Sequence, residues 1–189
     1  AGNAYHAGQL VFLYAGGLLA AAMLLRDPAA GRAVEPALAL GATIVIGYAL
    51  SERLLPGVLH FARSLAAFGR LEQPLTYWNA TGELAALGLV LCARLIGDAA
   101  RPVGLRRLAA AASAPLGMGL YLSFSRGALF AWVAGLIALL VAAPRREQLR
   151  GAVIGIAAAG LAAAAVAPFQ GLTALTGSLD SRERQGAAV

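Results

Sequence analysis

The stretch Tyr121-Leu122-Ser123-Phe124-Ser125-Arg126-Gly127 divides two long apolar runs, residues 108–122 and 127–143. Its polar residues lie between Ser123 and Arg126, a span short enough to be a tight reversal of the chain. A chain that is apolar over roughly a bilayer's width, turns, and becomes apolar again reads as two adjoining membrane helices. Ser123 or Ser125 is suited to cap the second helix, and Gly127 permits close backbone approach. Arg126 then sits at a helix N-terminus, an end that already carries partial positive charge. A cation gains there if an anion is shared between the guanidinium and the free amides. A phosphate or diphosphate meets that requirement; lipid phosphates meet it without any dedicated ligand.

The rest of the chain has the same character. Of 189 residues 60% are hydrophobic and 13% charged, with a mean hydropathy of +0.74, a composition that a soluble domain of this size would struggle to keep dissolved. Further apolar runs at 9–25, 33–50, 82–97 and 151–168 join the two named above. The fold class expected is all-α: a polytopic bundle of about six membrane helices, with 1–189 forming one partial transmembrane domain. About 20 residues cross a hydrocarbon core of about 30 Å, so several runs are short and extend into the interface. Cys92 is the single cysteine and lies inside an apolar run, which leaves nothing to build a disulfide framework or a metal site; no cofactor is expected. The basic balance does not indicate nucleic acid, because no basic helix face interleaved with aromatics is present. No charged n-region or cleavage site opens the chain, so residues 10–25 read as a spanning helix, not a signal peptide. The absence of signals at Ala1 and Val189 is expected to mark a fragment.

All 15 basic residues are arginine. If the helices alternate in direction, the loops 26–32, 98–107 and 144–150 share one side and hold Arg26, Arg32, Arg101, Arg106, Arg107, Arg145, Arg146 and Arg150. Positive charge in short loops assigns that side to the cytoplasm. The outer side receives residues 1–8, the loop 51–81, the turn 123–126 and the tail 169–189. Arg53 and Arg63, with Leu54, Leu55, Val58, Leu59, Phe61, Leu65 and Phe68, fit an interfacial amphipathic helix with both arginines on its polar side. Arg94 is expected to snorkel to the cytoplasmic interface, since an arginine at mid-bilayer costs about 2.5–3.5 kcal/mol. Pro115 with Gly117 and Gly119 suggests a kink or local unwinding. Gly151, Gly155 and Gly160 suggest close helix packing.

A second cluster, Arg70-Leu-Glu-Gln-Pro-Leu-Thr-Tyr-Trp-Asn-Ala-Thr-Gly82, ends the long outer loop. Tyr77 and Trp78 suit an interfacial aromatic belt, and Asn79 or Thr81 suits an N-cap. Arg70, Glu72 and Gln73 are left without such a duty. This cluster, followed some 40 residues later by Leu122-Ser-Phe-Ser-Arg-Gly127, resembles the O-antigen ligase and O-antigen polymerase superfamily of bacterial membrane proteins. The resemblance covers roughly residues 70–184.

The resemblance implies a metal-independent glycosyltransferase of the bacterial cytoplasmic membrane. It would pass a glycan from a polyprenyl-diphosphate carrier to a lipid or glycan acceptor on the outer face. Arg126 matches the family arginine that holds the donor diphosphate, with Ser125 beside it; Arg70 and Asn79 match the region leading into the earlier helix. The physical logic agrees, because diphosphate leaves and fixed cations near the membrane stabilise the charge it develops. The family's base is a histidine in a large outer loop. His6 and His60, the two histidines present, occupy no matching position, so the base is expected beyond Val189 and this stretch alone is expected to be inactive. The alternatives are a transporter or flippase domain for an anionic or lipid-linked substrate, and a noncatalytic membrane scaffold.

Overall fold

The structure, a computed structural model, describes residues 11–12, 15–23, 26–55, 70–173, 184–186 and 188. It is all-helical, with no strand among the described residues. Five long helices are named here: α1 (Pro28–Leu54), α2 (Trp78–Gly97), α3 (Val103–Leu122), α4 (Arg126–Ala142) and α5 (Arg146–Val166), followed by a single turn, Gln170–Thr173. Of these, α1, α2 and α5 are long and apolar enough to cross a membrane, and α4 is a shorter apolar helix. The six-span expectation is therefore met in part. In α3, Arg106 and Arg107 stand near the start, and alanine, glycine and serine fill much of the remainder. The first expected segment, 9–25, lies partly outside the described residues, as does most of the expected interfacial helix.

The chain divides into two compact units, Ala1–Ala37 and Leu38–Val189. In the first unit, residues 15–23 are helical and α1 begins five residues earlier than the apolar run does. Asp27 accepts a hydrogen bond from the Ala29 amide at 3.0 Å, with Pro28 opening the helix. An aspartate cap followed by proline at the first helical position is a start signal that the apolar period does not contain.

The second unit is organised around α2, which packs against α3, α4 and α5. Its buried face is mostly small: Gly82, Ala85, Ala86, Gly88, Cys92, Ala93 and Gly97, with Leu89, Leu95 and Ile96 filling the space between. In lipid the hydrophobic effect does not drive helices together, so close van der Waals contact between small residues matters more. Gly97 and Gly151 form one crossing: a Cβ on Gly151 would lie 2.5 Å from the Gly97 nitrogen. Gly117 and Ala159 form another, where a Cβ on Gly117 would lie 2.4 Å from the Ala159 Cα. Of the three glycines expected to pack in α5, Gly151 is in tight contact, Gly155 meets neighbours at ordinary distance, and Gly160 meets nothing within 4 Å. Helix α3 continues through Pro115 without local unwinding.

Charge and polarity at the α2–α3 turn are locally satisfied. Asp98 accepts from the Ala100 amide at 3.0 Å and pairs with Arg94 at 3.6 Å and Arg101 at 3.4 Å. Partial burial pushes its carboxyl up, but the Ala100 amide and the two guanidiniums outweigh that and hold it below the ordinary 3.8. Arg94 thus lies in the last turn of α2. Arg106 Nε donates to the Ile96 carbonyl at 2.9 Å. Gln148, buried in the first turn of α5, donates to the Ala93 carbonyl at 2.9 Å and ties α5 to α2.

Candidate functional site

The polar break between α3 and α4 is built from two serines. Ser123 donates its hydroxyl to the Leu120 carbonyl at 2.7 Å, and its oxygen accepts the Ser125 amide at 3.2 Å. Ser125 is the N-cap of α4, its oxygen accepting the Ala128 amide at 3.2 Å. Each helix end thus finds a partner for groups that would otherwise be orphaned. Ser125 is buried and its hydroxyl oxygen already serves the helix. Between the serines, Phe124 has φ 52°, the left-handed region that a bulky side chain rarely adopts. The residue is 39% exposed, and its ring lies 6.1 Å from that of Tyr121.

The stretch from Arg70 to Gly82 packs directly against this break. The Leu71 amide donates to the Leu122 carbonyl at 3.3 Å. At Gly82 an added Cβ would lie 2.6 Å from Ser123 Oγ, 2.9 Å from Ala128 Cβ and 3.0 Å from Ser125 Cβ. Glycine is what lets the two stretches touch. Thr81, fully buried, directs its hydroxyl at the Glu72 and Tyr77 carbonyls, both at 3.3 Å. The N-cap position of α2 is Tyr77, which makes no side-chain cap. Asn79 and Thr81 are already inside the helix, which corrects the capping role expected of them. Asn79 Nδ2 donates to the Tyr77 hydroxyl at 2.8 Å.

Arg126 opens α4 and is exposed. Together with Ser125 it stands at the polar edge of a half-open groove of about 330 Å³, whose other walls are Leu89, Leu120, Tyr121, Phe124, Leu129 and Trp132, with small residues of α3 and α5. Arg70 and Asn79 do not line it. Arg70 is half-buried, its guanidinium carbon 4.9 Å from the centre of the Trp78 ring, in a cation–π contact. Among the described residues its buried Nε–H has no hydrogen-bond partner. The two arginines therefore belong to stretches that touch, but one groove does not hold both.

Arg53 departs from the sequence expectation. Instead of lying on the polar side of an interfacial helix, it is fully buried near the end of α1 and donates to the Leu172 carbonyl at 3.0 Å. The accepting carbonyl belongs to the short turn Gln170–Thr173, 119 residues distant in sequence. Residues 56–69, which hold Arg63 and most of that expected helix, lie outside the described residues.

Phe124 and Gln148 were not singled out by the sequence. Nothing local marks the backbone of Phe124. Gln148 could have been found, because it shares a helical face with the buried Gly151, Ala152 and Gly155, at spacings of three, four and seven. Among the described residues no group of three or more His, Cys, Asp or Glu could hold a metal ion.

Comparison with family models, with curated proteins and with solved structures finds no match to this chain.

Proposed function

We propose that this chain is part of a membrane glycosyltransferase of the O-antigen ligase type, using a polyprenyl-diphosphate-linked glycan as donor on the outer side of the bacterial cytoplasmic membrane. The observation that carries the reading is the contact between the Arg70–Gly82 stretch and the serine turn, with Arg126 left exposed at the mouth of an apolar groove. An anionic head beside Arg126 and a hydrocarbon chain along Leu120, Leu129 and Trp132 would suit a lipid-linked diphosphate. In this reading Arg126 stabilises the departing diphosphate, and Ser125 caps the first turn of α4 that carries it. Arg70 and Asn79 act from the adjoining stretch, Arg70 from beside the Trp78 ring and Asn79 through Tyr77.

The test is transfer of a labelled glycan from polyprenyl diphosphate in membranes carrying the protein with its flanking sequence. Arg126→Ala is expected to lower transfer by about 10²–10³-fold, the usual effect of deleting a charge-stabilising donor, with insertion unchanged. Arg126→Lys is also expected to be impaired, because lysine lacks the planar fork that engages two oxygens. Undiminished transfer by Arg126→Ala would overturn the proposal.

A further inference from the structure

The turn between α2 and α3 and the start of α5 enclose a second, half-open cleft of about 400 Å³, away from the serine turn. Its walls include Arg94, Gly97, Asp98, Arg145, Glu147 and Gln148. Asp98 is already engaged by Arg94, Arg101 and the Ala100 amide, and Glu147 is the other carboxylate of the lining. Arg106 is turned inward to the Ile96 carbonyl, and exposed arginines stand on the adjoining elements: Arg145 in the lining itself, and Arg146 and Arg150 in the first turns of α5. Among the described residues no carboxylate pairs with these three exposed arginines.

Two features say what kind of anion would answer that charge. Helix α5 is apolar enough to cross a membrane, so arginines at its first turn lie at headgroup depth, where lipid phosphates are the nearest anions. Exposed apolar residues follow on the two helices whose ends border the cleft: Leu149 is 54% and Val153 56% exposed on α5, and Val141 75% on α4. Charge set above an exposed hydrocarbon-like face is complementary to an amphiphile and less so to an acidic peptide. We propose that this cleft seats the headgroup of an anionic phospholipid, with Arg145 at its phosphate, Arg146 and Arg150 beside it, and the acyl chains along Leu149 and Val153. The proposal does not depend on the transfer reaction.

The experiment is native mass spectrometry of the full chain released from bilayers of phosphatidylglycerol and phosphatidylcholine in equal amounts. Wild type is expected to retain phosphatidylglycerol in preference. Arg145→Gln, Arg146→Gln and Arg150→Gln together should reduce that preference on the order of 100-fold, from about fivefold for each arginine at a membrane surface. The corresponding triple lysine variant keeps the charge and should keep most of the preference. Should the triple glutamine variant lose its helical circular dichroism, Arg145→Gln alone gives the reading, with a fall of about fivefold. Millimolar inorganic phosphate should displace no phosphatidylglycerol; displacement would assign the cleft to free phosphate. Equal retention of the two lipids by wild type, or an undiminished preference in the folded glutamine variants, would overturn the proposal, as would co-purification of an acidic protein that those variants release.

Discussion

At the scale of single residues, the serine turn gives its sharpest test at Phe124. A non-glycine residue in the left-handed region costs about 1–2 kcal/mol, and this one places a half-exposed ring at the mouth of the groove. Phe124→Ala and Phe124→Gly lose the same ring but differ in backbone. The glycine variant is expected to be the more stable of the two by about 1 kcal/mol, the reverse of the order inside a helix. Thermal unfolding in detergent measures this, and alanine proving equal or better would mean that φ is not positive in the folded protein. Asp98 gives a second test. Its folded pKa lies below the ordinary 3.8, so its contribution is complete above that value and is lost as pH falls through the folded pKa. Wild type should therefore be more stable than Asp98→Asn at pH 5, by about 1 kcal/mol for partly exposed pairs at a turn. The difference should close as pH falls below 3.8, and a difference that widened on acidification would contradict the arrangement.

At the scale of elements, the helices are joined by what they lack. Gly117 faces the Ala159 backbone so closely that any side chain must push α3 and α5 apart, whereas Gly160 on the same helix as Ala159 faces open space. Gly117→Ala is expected to destabilise by about 1–3 kcal/mol through overpacking. Gly160→Ala is expected to be neutral or stabilising by up to about 1 kcal/mol from helix propensity. Comparing the two by chemical unfolding in micelles checks the crossing, and equal effects would place it elsewhere. Gln148 serves the neighbouring crossing by donating to the Ala93 carbonyl. That bond ties the first turn of α5 to α2, although Arg145, its N-cap residue, makes no side-chain cap.

At the scale of the molecule, exposed apolar residues run the length of the long helices: Phe130 and Val141 on α4, Val153 and Leu161 on α5, Leu40 and Ile44 on α1. Surface of this kind needs lipid or detergent around it. Cys92, buried within α2, makes the topology accessible to labelling. In a Cys92→Ala background, Ala99→Cys and Ala143→Cys are expected to react with a membrane-impermeant maleimide from one side. Phe124→Cys is expected to react from the opposite side. Labelling of all three from one side of sealed vesicles would reject the alternating arrangement of α2 to α5.

Much of the second unit is legible in the sequence. The apolar runs at 82–97, 108–122, 127–143 and 151–168 each became a helix within a few residues of their limits, because hydrogen bonding of the backbone in an apolar medium leaves a continuous apolar run little other choice. Ser125 as a cap and Arg126 as the first helical residue follow from local chemistry, which acts over three or four residues and is written in order. What tertiary structure alone decided is long-range. It set the burial of Arg53 and its hydrogen bond to a carbonyl 119 residues away, the touching of Gly82 and the serine turn, and the exclusion of Arg70 from the groove that Arg126 borders. Those depend on which small residues of different helices meet, and packing energy is shared among contacts that no single segment contains.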